Sequence, residues 1–347
     1  MLKAPQLFIN EQQCLANIKK MAAKIPAGFI FRPHFKTHQS AKIGNIFKAC
    51  GIHKITVSSL EMAGYFIENG WQDITLGITC NIHWTEDINL LGQKASLNIV
   101  VEDAHVLRVL MKEIKIDCGV FIKVDTGAGR TGVKSSDVNV IDDLVLLLKN
   151  SEYLHFKGFL SHAGHTYACK NKEEISEIYF QSYSQMSVLK ERYIKDFSNI
   201  ILSYGDTPSC SVVDNLSHFD EYRPGNFVFY DLMQYEAGVC SYDEIAVSVA
   251  APVIAKHKDR LEIVVHCGAV HLSKEYIEIE GQKVYGEMSI SAQAPSLNRA
   301  FVKRLSQEHG VIGVNKSVFE AINVGDTVSI MPVHSCLTVH QFANFLK

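Results

Sequence analysis

Five short segments of this chain gather side chains that can do chemistry. The first is Arg32-Pro33-His34-Phe35-Lys36-Thr37-His38, which ends an apolar run that begins at Phe29. Charge turned into a buried strand is costly unless it is paired or functional. A lysine at a strand end, its pKa lowered by burial and neighbouring positive charge, suits Schiff-base chemistry. A basic strand end making surface ion pairs is the other reading. The second segment is Val124-Asp125-Thr126-Gly127-Ala128-Gly129-Arg130-Thr131-Gly132. Its glycines permit a tight loop that delivers Arg130, or simply make an ordinary turn. Their spacing is close to a dinucleotide fingerprint without matching it. The third, Ser161-His162-Ala163-Gly164-His165-Thr166-Tyr167, sets two histidines and a tyrosine around a glycine. Together they can serve an aromatic cofactor, whereas a lone histidine is more often structural. The fourth is Ser203-Tyr204-Gly205-Asp206-Thr207-Pro208-Ser209. A glycine turn with hydroxyls before a helix start is either a phosphate cradle or a plain N-cap turn.

The fifth segment is Pro332-Val333-His334-Ser335-Cys336. Read as a strand, it points His334 and Cys336 to one face, where they can share an ion. Imidazole with thiolate suits zinc. Two protein ligands are few for a structural site and leave positions open to water or substrate, as catalytic metals require. A buried histidine beside a buried cysteine is the plainer alternative.

These segments need elements to hold them. From Phe29 to about Asp231, short β-rich runs alternate with amphipathic stretches. The runs are Phe29–Phe35, Ile55–Ser58, Ile74–Ile78, Leu97–Val101, Val120–Asp125, Phe156–Ser161, Ile200–Ser203 and Phe227–Tyr230. Their lack of strict alternation predicts strands buried on both faces. Ser40, Asp103 and Ser136 stand where helix N-caps belong, and Gly51 and Gly70 where helices stop. Eight strand–helix units predict an α/β fold, a (β/α)₈ TIM barrel with reactive residues at the C-terminal strand ends; a doubly wound open sheet is the rival, and eight evenly spaced units favour closure. After Tyr242 the pattern becomes strands and turns at Ile245–His257, Arg260–His266, Lys283–Ile290, Gly310–Val314 and Thr327–Met331. The expected division is a barrel over 1–242 and a mostly β domain over 243–347, with about the first 20 residues packing on the β domain.

The bulk numbers exclude several classes. The 347 residues carry a formal net charge of -3, without the basic footprint of a nucleic-acid binder. The longest nearly apolar stretch, Ala246–Ala255, is too short for a membrane span, and Met1–Lys20 lacks the apolar region of a secretory signal. Nine cysteines, an odd count without Cys-x-x-Cys, argue for reduced thiols in a cytoplasm. A soluble cytoplasmic protein with no nucleic-acid or membrane partner is expected.

Taken together, the segments resemble the D-serine dehydratase and D-threonine aldolase family, relatives of alanine racemase with a fold-type III barrel and a C-terminal β domain. The resemblance runs over nearly the whole chain. It is carried most specifically by Arg32–His38 and Pro332–Cys336, with Glu221-Tyr222-Arg223-Pro224-Gly225 and Ser306-Gln307-Glu308-His309-Gly310 in support. It implies pyridoxal 5'-phosphate joined to Lys36, with His34 and His165 beside the cofactor. Arg130 would meet its phenolic oxygen and Tyr167 its pyridine nitrogen. Tyr204, Gly205, Asp206 and Thr207 would surround its phosphate. His334 and Cys336 would bind Zn2+, or Mn2+ or another divalent ion. Two positions depart from the pattern. Gln39 stands where a lysine is frequent, and Asp206 where a small hydroxyl residue is usual. A carboxylate beside a phosphate is repulsive unless it points away.

The expected activity is loss of water from a D-β-hydroxy amino acid, with D-serine going to pyruvate and ammonia. D-threonine aldolase-type cleavage to glycine and an aldehyde is the rival. Cys336 tilts the choice, since a harder ligand would suit manganese and an aldolase better. Racemisation needs a second acid–base group, which has no candidate in the sequence. A non-catalytic cofactor carrier would have little use for the β domain. A homodimer with its active site at the interface is implied by analogy.

Overall fold

Strands that read as apolar on both faces must be covered on both, and a ring of parallel strands wrapped in helices does this. The computed structural model describes residues 2–289 and 299–342. They form two compact units, residues 18–225 and residues 2–17 with 226–342.

The first unit holds eight parallel strands: Ile30–Phe31, Lys54–Val57, Asp73–Thr79, Ser96–Val101, Cys118–Asp125, Leu154–Ser161, Ile201–Tyr204 and Glu221–Tyr222. Each pairs with its neighbour in chain order, and the last pairs with the first. A parallel bridge from His34 to Thr56, with Phe35 N donating to Thr56 O at 2.8 Å, joins the first strand to the second. The ring is closed, and the fold is the expected (β/α)₈ barrel. Ser40 and Asp103 cap the helices Ala41–Ala49 and Ala104–Glu113 through their side chains. The cap expected at Ser136 falls on Asp137, which starts Val138–Lys149 without a side-chain bond.

The eighth strand is a correction. It is Glu221–Tyr222, and the run expected there, Phe227–Tyr230, overlaps a 3-10 turn at Asn226–Val228. Two residues suffice for the strand because Arg32 N, Asp220 N and Arg223 N complete its ladder with 2.8–3.0 Å bonds to flanking carbonyls. The apolar run is buried for a different reason: Phe227, Val228 and Phe229 are core side chains of the second unit.

In that unit Val247–His257 pairs antiparallel with Gln6–Ile9, Glu262–His266 and Thr327–Pro332. The path runs on through His309–Gly313, Ala300–Leu305 and Gly286–Ser289 back to Thr327–Pro332. This closes a small antiparallel barrel around Val249, Val253, Ile263, Val265, Ile312 and Ile330. Each such side chain contributes roughly 1.5–3 kcal/mol on burial. The strand Ala300–Leu305 is absent from the sequence reading because Lys303 and Arg304 break its apolar pattern. Both turn outward to Glu262, at 2.9 and 3.1 Å. Ile290, expected to end a strand, lies outside the described residues. Residues 226–242 belong to this unit, whereas the sequence division falls after Tyr242. The tie is Asp231, whose Oδ2 accepts from Asn226 Nδ2 at 2.6 Å and Ser335 N at 2.9 Å. Among the described residues no helix is long and apolar enough to cross a membrane.

Candidate active site

The chemistry-bearing segments of the first unit all leave the C-terminal ends of its strands. Lys36 sits in the turn that follows the bridging His34. Its neighbours anchor the turn from behind. Phe35 is fully buried, with ring centroids 5.0 Å from Phe47 and 4.9 Å from Trp71. His38 packs 4.2 Å from Phe35, and its Nδ1 accepts Ser40 N at 3.1 Å. Burial holds His38 down to about 3, so it is a neutral core residue. Gln39 takes a left-handed φ of 47° and donates from Nε2 to Lys36 O at 3.0 Å. The departure at this position therefore closes the lysine's own turn.

Around Lys36 the barrel concentrates positive charge. Lys123 projects from Cys118–Asp125 and Arg223 follows Glu221–Tyr222, and both are buried. Burial lowers Lys123 to about 7, helped by Arg223, Arg130 and Lys36 and opposed by Glu102. Burial lowers Arg223 to about 10, opposed first by Glu221. His34 and His162 lie well below the ordinary histidine value, through burial and then the charge of Lys36. A buried polar chain supports the floor. Asp73 binds Arg32 at 2.5 Å, Arg32 binds Glu221 at 2.6 Å, and Glu221 accepts from Ser203. Ser203 accepts from Arg223, whose Nη2 donates to Ser161 O at 2.7 Å.

The loop bearing Arg130 is exposed, yet its charge acts on both Lys123 and His162. His165 lies in the 3-10 turn Gly164–Ala168, with its Nδ1 buried and unmatched by any hydrogen bond. The Tyr167 hydroxyl accepts Thr207 N at 3.3 Å. His162 Nδ1 donates to Gly205 O, and Gly205 has no room for a side chain, its Cβ position being 2.8 Å from the Arg223 backbone. Asp206 caps Thr207–Val212 by accepting Ser209 N at 2.6 Å and the Thr166 hydroxyl at 3.0 Å. Both bonds go to Oδ1, and burial raises the carboxyl above its ordinary value. The Tyr204 ring is a packing element, stacked 4.3 Å from Phe219, with its hydroxyl on Ser209 Oγ at 3.0 Å. A lysine among buried cations, an unmatched imidazole nitrogen and a glycine turn with backbone N–H groups fit an anionic ring cofactor such as pyridoxal phosphate.

His334 and Cys336 belong to the second unit, and here the geometry corrects the sequence argument. The strand ends at Pro332, and Cys336 lies in the first turn of the helix Ser335–Phe342. A helix start, rather than strand alternation, sets the pair. His334 Nδ1 bonds the carboxylate of Glu275. Hydrogen bonds with Cys336 and Glu275 outweigh burial and raise His334 to about 11, so the two prospective ligands face each other. Asn226 Nδ2 lies 3.8 Å from Cys336 Sγ. An imidazole held by a carboxylate, with a thiol alongside, fits a zinc donor set.

Sequence reading missed Lys123, Glu102, Arg223 and Glu275. Lys123 carried a signal, being a lone cation inside an apolar run. Arg223 lay in a segment noted without a role. Glu275 is 59 residues from His334 in the chain and had none.

Comparison with known proteins agrees with this fold. Residues 9–232 match the family described as alanine racemase, N-terminal domain, and residues 246–346 the putative serine dehydratase domain. The chain is 27% identical to D-serine dehydratase of Dictyostelium discoideum, covering 99% of this chain and 93% of that protein. It is also 27% identical to D-threo-3-hydroxyaspartate dehydratase of Delftia sp. strain HT23, covering 98% and 93%. The structure of the Delftia enzyme superposes with a TM-score of 0.89 over 99% of this chain and 93% of that one, at 23% identity. A variant of that enzyme with a cysteine replaced by alanine was solved in a metal-free form. An alanine racemase-like protein of Idiomarina loihiensis superposes at 0.87, with 25% identity over 98% and 92%.

Proposed function

The chain belongs to the alanine racemase N-terminal domain family, and from that premise we propose that it is a pyridoxal-phosphate-dependent lyase that converts a D-β-hydroxy amino acid such as D-serine to a keto acid and ammonia. The observation that carries the reading is Lys36 at the end of the first barrel strand, among the buried cations Lys123 and Arg223. Full-length similarity to two dehydratases supports it.

When bound, the cofactor supplies an electron sink for charge developing at the substrate's Cα. Lys36 Nζ would hold the cofactor and, once displaced by the substrate's amine, would take the Cα proton. Gln39, bonded to Lys36 O, keeps that amine in register. Arg130 would meet the ring's phenolic oxygen, while His165 and Tyr167 would line the ring. Gly205 and Thr207 would lie at the phosphate, where Thr207 N would exchange its 3.3 Å bond to the Tyr167 hydroxyl for a phosphate oxygen, with Asp206 at the helix cap. Tyr204 and His34 act from behind, as packing and as a neutral neighbour. His334 and Cys336 hold the metal, which we assign as zinc because the donors are an imidazole and a thiol. Such an ion would supply Lewis acidity. The protein works as a homodimer in the cytoplasm.

Product analysis with D-serine and D-threonine tests the reaction. Keto acid and ammonia are expected from each. Glycine with an aldehyde would overturn dehydration in favour of aldol cleavage.

A further inference from the structure

We propose a second divalent-cation site in the β unit, built from His266, His271 and Glu308 and made of different residues from the His334–Cys336 pair. One ligand atom from each of the three lies within 4.8 Å of the others. His266 Nε2 and a Glu308 carboxylate oxygen are already 3.7 Å apart. Around tetrahedral zinc with bonds of about 2.0–2.2 Å, ligand atoms stand roughly 3.4 Å apart. Small side-chain rotations therefore close the set. Two imidazoles and a carboxylate are a known zinc donor set that leaves a fourth position to water. It contains no sulfur.

Backbone packing delivers the three side chains. His266 ends the strand Glu262–His266, and its register partner is His309, the residue after Glu308. The Ser306–His309 turn closes by Ser306 N donating to His309 O at 2.9 Å. The same turn receives Ala269 N at Ser306 O (2.9 Å) and Val270 N at Gln307 O (3.2 Å), which fixes the start of the helix Ala269–Leu272. Gly268 makes the approach possible, since a Cβ there would lie 2.2 Å from Gln307 O. His271 stands on that helix, its ring 5.7 Å from that of His266. His271 Nδ1 accepts Gly268 N at 3.2 Å, which leaves Nε2 as the nitrogen outside the cap. Coordination through Nε2 moves the ring proton to Nδ1 and exchanges that long hydrogen bond for a metal bond.

The site has a structural consequence within the unit. Thr338, on the helix that carries Cys336, donates to Leu272 O at 3.4 Å. From Leu272 the chain passes through Ser273, at a φ of 69°, to Glu275, which bonds His334. A cation that pins the helix Ala269–Leu272 braces both members of the other pair.

The test loads the full-length protein with Zn2+, removes excess by desalting, and measures zinc per chain. Two equivalents are expected in the wild type and one in His271→Asn. Co2+ loading separates the sites, since only cobalt bound to Cys336 shows thiolate-to-metal charge transfer. His271→Asn should keep that band and lose one equivalent of cobalt, and Cys336→Ala should do the reverse. If His271→Asn fails to fold by circular dichroism, Glu308→Gln on the exposed turn carries the same measurement. Wild-type zinc content unchanged by His271→Asn and by Glu308→Gln would overturn the proposal, leaving a His266–Glu308 ion pair. One wild-type equivalent that His271→Asn removes would uphold it, and would instead count against metal binding at Cys336.

Discussion

The interior of the parallel barrel and the outer face of the antiparallel barrel both carry many charges, and they treat them in opposite ways. Inside the parallel barrel, Lys123 and Arg223 are buried and pushed toward neutrality, with like charges nearby. On the antiparallel barrel, Glu262 lies among Arg260, Lys303 and Arg304 at 2.9–3.1 Å, all three of which reach solvent. The first arrangement is costly and the second is nearly neutral. Strain of this kind gathers where a site must meet an anionic ligand or move a proton, while paired surface charge asks for no such explanation.

Four substitutions put the contrast at risk. Lys36→Ala should have the largest effect, lowering turnover by about 10²–10⁴-fold or more and abolishing the cofactor's visible absorbance at unchanged circular dichroism. Retained turnover would remove the barrel interior from the chemistry. Next is Arg32→Met, which leaves the buried Glu221 without its cation while Asp73 keeps only Lys54. It should cost about 3–5 kcal/mol by urea denaturation, the usual penalty for breaking a buried pair on one side.

Lys123→Met should act with the opposite sign. Its ammonium is disfavoured in the fold, with the pKa lowered from 10.5 to about 7. As pH falls from 10.5 to 7, the unfolded chain takes up a proton that the folded chain does not, and the wild type loses stability over that window. Below 7 the loss levels off. The variant should therefore be more stable at pH 7 by roughly 2–4 kcal/mol, with the gain narrowing toward pH 10.5. A destabilised variant at pH 7 would mean that Lys123 is satisfied rather than strained.

Glu262→Gln should have the smallest effect, roughly 1–2 kcal/mol at neutral pH, because the carboxylate is buried while its three cations reach solvent and are screened by salt. Side-chain bonds, chiefly from Lys303, lower the Glu262 carboxyl from 4.5 to about 2. Its contribution is present above pH 4.5 and fades as pH falls toward 2. Thermal melts of the wild type and the variant should thus converge in acid.

Much of this was legible in the sequence, and the misses have physical causes. Seven barrel strands were readable because a strand buried on both faces leaves an apolar run. Glu221–Tyr222 was not, since a two-residue strand finished by flanking carbonyls has no pattern to read. Lys36 stood out as a cation ending such a run. His334 and Cys336 were singled out by type, but the strand alternation used to align them does not exist, since a helix begins between them. Asp206 shows the same limit: its identity raised the question of repulsion, and only the structure shows its Oδ1 taken up by Ser209 N and the Thr166 hydroxyl.

By itself, then, the sequence determined the barrel, the β unit, the cofactor lysine as a candidate and the pair of residue types suited to zinc. These follow from periodicity, composition and chemistry, which are properties of neighbouring residues. Only the tertiary structure decided that Glu275 orients His334, that Arg223 joins Ser161 to Ser203, and that Glu308 approaches His266 and His271. Those relations link residues tens of positions apart through backbone packing, and no local pattern encodes which distant side chain will arrive.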